Sequence, residues 1–160
     1  MILVKNKFIF TGILIFSISA LLFAYFVEHA LKHTPCNLCL IERIPYVITI
    51  VLTLLVLFFN KYEKIVLISI GILFVFGASI SFYHFGIEQG FFSESLVCDL
   101  GENNKAVSAQ DLLKELENKN ISCKNVTFRI FGLSLATFNT IISFIISAIM
   151  LRVGINYDKN

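Results

Sequence analysis

The sequence predicts an all-α fold: an integral membrane four-helix bundle with a long outer loop that carries a short amphipathic helix. Three observations lead there. Hydrophobic residues make up 57% of the 160-residue chain and charged residues 15%, with a mean hydropathy of +0.82; a soluble domain has about 25% charged residues. Four apolar runs are each at least 20 residues long, enough to cross about 30 Å of hydrocarbon at roughly 1.5 Å per residue. Between the third and fourth runs lies a long polar stretch. A net charge of +2 with no basic run excludes nucleic acid as a partner. The partner that the composition does demand is the lipid bilayer.

The runs are taken in chain order. The first spans residues 8–27 without a charge. Lys5 and Lys7 precede it, as in a signal peptide, but it exceeds the roughly 7–15 apolar residues of such a segment and no A-x-A cleavage site follows. It is therefore expected to stay as a helix. The second run, 40–59, carries the doublet Glu42-Arg43 near its start. The third covers 65–87 and the fourth 130–151, all in one transmembrane domain over 1–160. No internal repeat is present.

Four spans put both termini and the turn at 60–64 on one side. That side holds Lys5, Lys7, Lys61, Lys64, Arg152 and Lys159 against Glu63 and Asp158. By the positive-inside rule it is cytoplasmic. The outer segments are then 28–38 and 88–129, the second with seven acids and five bases. Tyr25, Tyr46 and Tyr83 fall near the outer interface, Tyr62 and Tyr157 near the inner one, as anchors in a chain without tryptophan. In the long loop, Ser108 with Asp111 is a capping signal. Leu112, Leu113 and Leu116 follow at helical spacing, which predicts a short amphipathic helix over 108–118.

Helix parity also places all four cysteines, Cys36, Cys39, Cys98 and Cys123, in or at the mouth of the outer segments. On an oxidising face disulfides persist. Cys36-Asn37-Leu38-Cys39 is a C-x-x-C, and a sulfur at a helix start has a lowered pKa. Arg43 follows Cys39 by four residues, one helical turn, and Cys36 by seven, so all three share a face. A cation there holds the Cys39 thiolate ionised; the plainer alternative is an arginine snorkelling to the interface. Glu42, next door, faces elsewhere. Cys98 and Cys123 are 25 residues apart and read either as a staple for a polar loop or as a mobile pair that relays electrons to Cys36/Cys39 by thiol–disulfide exchange. His29, His33, Cys36 and Cys39 offer a different reading, a Cys2His2 metal site, which leaves Cys98, Cys123 and Arg43 without a role. His84, in Tyr83-His84-Phe85, is either a satisfied polar residue at a helix end or a donor to a ligand carbonyl between helices. The redox reading calls for no bound metal. With no haem, iron–sulfur or flavin signature, the electrons must leave for something lipid-soluble.

Together, Pro35-Cys36-Asn37-Leu38-Cys39-Leu40-Ile41-Glu42-Arg43, the cysteine pair of the second outer loop, and Phe131-Gly132-Leu133-Ser134-Leu135-Ala136-Thr137-Phe138-Asn139 at the fourth helix resemble the DsbB-type disulfide bond formation proteins of bacterial inner membranes. The resemblance covers nearly the whole chain. It implies a protein-thiol:quinone oxidoreductase with cysteine loops in the periplasm. A reduced DsbA-like thioredoxin-fold partner attacks Cys98; Cys123 exchanges with Cys36; Cys39, a thiolate beside Arg43, reduces a quinone, either ubiquinone or menaquinone. The resemblance further implies that Arg43 polarises a quinone carbonyl and that His84 assists. A reductase of the vitamin K epoxide type also uses four helices and cysteines, but its C-x-x-C lies near the last helix, whereas here it opens the second. Two other classes compete: a membrane metal-binding protein using His29, His33, Cys36 and Cys39, and a structural membrane protein with stapled loops.

Overall fold

The computed structural model describes residues 2–33, 35–59, 62–93, 123, 129–130 and 132–157, with the side chains of 2–6 and 129–130 left aside. Cys98 and the amphipathic helix expected over 108–118 lie outside the described residues. The described chain runs α1 (Ile2–His29), α2 (Asn37–Ile41), α3 (Ile44–Phe59), α4 (Glu63–Glu88), β1 (Arg129–Ile130), β2 (Leu133–Ser134) and α5 (Leu135–Ile155). Among the described residues, four segments are long and apolar enough to cross a membrane: Lys7–His29, Asn37–Phe59, Glu63–Glu88 and Leu135–Ile155. The fold is a helical bundle whose outer faces are apolar: Phe8, Leu22, Ile65, Phe76 and Phe144 are all exposed.

Two boundaries differ from the apolar runs, each for a local reason. The second span is not one helix. α2 ends at Ile41, Glu42 and Arg43 form a turn, and α3 starts at Ile44. Pro45 is the cause: it has no N–H to give to the carbonyl of Ile41, and its ring crowds that carbonyl. In the first turn of α3 the missing N–H costs nothing. The break turns Glu42 and Arg43 in different directions.

The last helix starts at Leu135 rather than near residue 130, because β1 and β2 pair antiparallel before it, Arg129 opposite Ser134 and Ile130 opposite Leu133. Gly132 supplies the positive φ (83°) that the tight turn requires. Ser134 then caps α5, its hydroxyl accepting from the Thr137 N–H at 3.3 Å.

α4 packs most extensively against α5, α1 against α3, and α3 against α4. The α4–α5 seam is close because glycines line it. A Cβ on Gly71 would stand 2.7 Å from Leu151, and one on Gly154 would stand 2.8 Å from Ile68. Small residues of this kind let helix backbones approach in lipid, where packing rather than hydrophobicity drives association. One core cluster gathers Phe10, Ile13, Tyr46, Val56, Leu67, Ile70, Phe74 and Met150. A second, at the C-x-x-C end of the bundle, gathers Cys36, Leu38, Ile87 and Cys123.

Candidate active site

Cys36 is the N-cap of α2, and its sulfur accepts the backbone N–H of Cys39 at 3.3 Å. Both Cys36 and Cys39 are free thiols, Cys36 buried and Cys39 half-buried. Cys123 is buried in the same cluster as Cys36 and is disulfide-bonded, to neither member of the C-x-x-C. The fold thus brings a dithiol and a disulfide sulfur into one packed corner.

The imidazole of His84 covers Cys36, Nε2 standing 3.6 Å from the sulfur. The Cys36 thiol is pushed down to about 5 from its ordinary value of 9.0. A hydrogen bond from the Cys39 side chain is the largest cause; burial opposes it, and the bond and charge of His84 add to it. Cys36 is therefore the ionised sulfur of the pair at neutral pH.

His84 is held from behind. Its Nδ1–H donates to Glu42 Oε1 at 2.7 Å. The other oxygen of Glu42 accepts from Asn139 Nδ2 at 2.8 Å, and Asn139 Nδ2 also donates to Ser81 Oγ at 2.7 Å. Asn139 Oδ1 accepts from Tyr46 and Ser143. His84, Glu42 and Ser81 are all buried, so the carboxylate of Glu42 has exchanged water for fixed donors from α4 and α5. A polar residue inside a span signals function by default, and by that rule Glu42 and Asn139 were visible in the sequence as polar groups within apolar runs. Their connection through His84 was not.

Arg43 turns the other way. Its guanidinium pairs with Glu28 Oε2 at 2.7 Å and lies 5.1 Å from the centre of the Tyr25 ring, a carboxylate and a π-face both supplied by α1. The turn at Glu42-Arg43 replaces the continuous helical face that the spacing from Cys39 implies. Arg43 and Cys39 still line one cavity. Glu28 is a residue that sequence reasoning missed: an acid at the end of an apolar run gives no signal of its partner.

That cavity, about 470 Å³, lies between α1 and α5. Phe16, Ala20 and Phe23 of α1 and Phe138 and Ile142 of α5 form apolar walls. Cys36, Cys39, Arg43, His84, Glu88 and Cys123 stand at its polar part. His33 also lines it, whereas His29 is exposed and its Nδ1–H donates to the Tyr25 carbonyl of its own helix at 3.1 Å. Among the described residues, the thiols cluster with His84 rather than with His29 and His33.

Free and oxidised sulfurs packed together at one end of a membrane helix bundle define a class, the multi-pass thiol–disulfide proteins. The family model for the disulfide bond formation protein DsbB matches residues 6–153, and the chain belongs to that family. It is a disulfide-forming oxidoreductase with four candidate membrane spans. It is also 31% identical over 129 residues to the uncharacterized protein RP370 of Rickettsia prowazekii (strain Madrid E), an alignment covering 79% of this chain and 75% of that one. No solved structure matches.

Proposed function

We propose that the protein is a thiol:quinone oxidoreductase of the bacterial inner membrane, both termini cytoplasmic, that reoxidises a DsbA-like periplasmic thioredoxin-fold protein. The observation that carries this reading is the cavity between α1 and α5. Its volume is within the range of small-molecule sites, roughly 300–1,000 Å³, its walls are apolar, and its polar part presents both free thiols together with Arg43 and His84. These residues fit a flat, lipid-soluble ring with polar carbonyls. A bound quinone, ubiquinone or menaquinone, supplies a two-electron, two-proton acceptor.

The chain's own residues do the rest. The partner's dithiol exchanges with the Cys98/Cys123 pair of the loop. Cys123, packed beside Cys36, is placed to pass oxidation between loop and helix by thiolate attack on a disulfide sulfur. Attack of the Cys123 thiolate on the Cys36 sulfur of a Cys36–Cys39 disulfide joins Cys123 to Cys36 and releases Cys39 as the sulfur that faces the acceptor. Arg43, held by Glu28 and Tyr25, presents positive charge to the cavity. His84, oriented by Glu42, holds a proton at Nε2 beside Cys36. In net terms, one dithiol is oxidised to a disulfide and two electrons and two protons pass to the acceptor.

The test is reduction of quinone by the purified protein on addition of a reduced thioredoxin-fold partner. Turnover is expected, and Cys39→Ser is expected to abolish it. Full activity of Cys39→Ser would sink the proposal.

A further inference from the structure

The geometry points to a second use of the same corner: we propose that the reduced Cys36/Cys39 pair, with His84, forms a binding site for a thiophilic divalent cation such as Zn2+, which would act as a reversible inhibitor. One donor atom from each of Cys36, Cys39 and His84 lies within 4.8 Å of the other two. Tetrahedral zinc has Zn–S of about 2.3 Å and Zn–N of about 2.0–2.1 Å, so its sulfur–nitrogen edge is about 3.6 Å. The Cys36 Sγ to His84 Nε2 distance is 3.6 Å. The sulfur–sulfur edge is about 3.8 Å by the same bond lengths, so the remaining adjustment is a small side-chain rotation.

Two further observations belong to metal sites rather than to thiol pairs in general. First, the ring nitrogen of His84 turned away from the sulfurs donates to a carboxylate, Glu42 Oε1, at 2.7 Å. A ligating histidine is fixed in this way, which sets its tautomer and raises its basicity. Second, Glu88 brings a carboxylate oxygen to 3.7 Å from His84 Nε2 with its side chain 6% exposed. Its other oxygen, Oε2, is buried with no hydrogen-bond partner. A buried carboxylate oxygen without a donor is costly, and a cation between the thiols and the imidazole would give it one. Glu88 lines the same cavity and borders the three-ligand set of Cys36, Cys39 and His84 on its imidazole side.

Binding releases thiol protons and moves no electrons. With both sulfurs ligated, neither can act as the thiolate that exchange requires, so the cation holds the reduced protein out of the cycle until it dissociates. The site depends only on the reduced dithiol and His84, whatever accepts the electrons.

The experiment is a titration of the full-length protein, purified in detergent and reduced under anaerobic conditions, with Co2+, followed by displacement with Zn2+. One equivalent of Co2+ is expected to give a sulfur-to-cobalt charge-transfer band that Zn2+ abolishes. The band is expected to survive Cys98→Ser/Cys123→Ser and to vanish when the thiols of wild-type protein are alkylated beforehand, a control that needs no change of fold. Glu42→Gln is expected to weaken Co2+ binding roughly 10–100-fold, as loss of a ligand-orienting partner does, and His84→Ala to weaken it further. Absence of the band, its persistence after alkylation, or unchanged affinity in His84→Ala would each overturn the site.

Discussion

His84 and Glu42 share a buried hydrogen bond of 2.7 Å that joins the fourth-helix imidazole to the turn just after the C-x-x-C. The bond fixes which ring nitrogen faces Cys36. It also places a negative charge behind the imidazole, which favours a proton on the nitrogen that faces the sulfur. Glu42→Gln keeps the size of the side chain and removes that charge. A charge-assisted hydrogen bond contributes about 1.5–3 kcal/mol, and about 1.4 kcal/mol is one pH unit. The Cys36 titration, followed by ultraviolet thiolate absorbance, is expected to move up by about one to two units in Glu42→Gln. An unmoved midpoint would show that Glu42 does not act on Cys36 through His84.

The ionised state of Cys36 has a pH signature of its own. Its pKa is lowered to about 5, so the thiolate is present above that pH and lost as pH falls through it. The rate of alkylation of Cys36 by a small reagent is expected to be level from about pH 6.5 upward and to fall as pH drops below about 5. An ordinary thiol rises through pH 8–9 instead. A profile that keeps climbing to pH 9 would remove Cys36 as the ionised sulfur.

Arg43 and Glu28 make a partly buried ion pair, their side chains 16% and 26% exposed. Groups in direct contact couple by roughly 0.5–3 kcal/mol. A double-mutant cycle with Arg43→Ala and Glu28→Ala, read by unfolding in detergent, is expected to return a coupling in that range. In the proposed reaction Arg43→Ala is also expected to lower quinone turnover while thiol exchange with the partner protein continues. Unchanged apparent quinone affinity would separate Arg43 from the acceptor.

The close seam between α4 and α5 makes a purely structural prediction. Gly71 has no room for a side chain, since its Cβ would lie 2.7 Å from Leu151. Overpacking typically costs about 1–3 kcal/mol. Gly71→Val is therefore expected to lower stability by about that much, measured by thermal unfolding in detergent, whereas Gly12→Val, with open space around it, is expected to have a smaller effect.

Much was legible from the sequence because the bilayer imposes its own rules. Backbone polar groups in hydrocarbon must be satisfied within a helix, so four apolar runs of sufficient length announce four spans before any contact is known. The thiols were legible because cysteine chemistry is carried by residue type and spacing: a C-x-x-C brings its two cysteines within one turn wherever it is placed, and here the Cys39 N–H reaches the Cys36 sulfur. The stop at Pro45 was not: the apolar run 40–59 reads as one span, and α2 and α3 separate only in the structure.

What only the tertiary structure decided is who faces whom. Glu42 and Arg43 are neighbours in sequence, yet one turns inward to His84 and Asn139 and the other outward to Glu28 and Tyr25. Sequence spacing fixes the angle between side chains on a single helix, but here both residues lie in the turn between two helices, and their partners come from α1, α4 and α5. Those partners are tens of residues away, and no periodicity encodes a contact between helices. It is the packing of α4 against α5, close enough to need Gly71 and Gly154, that brings His84, Ser81 and Asn139 to the carboxylate and so sets the imidazole on Cys36.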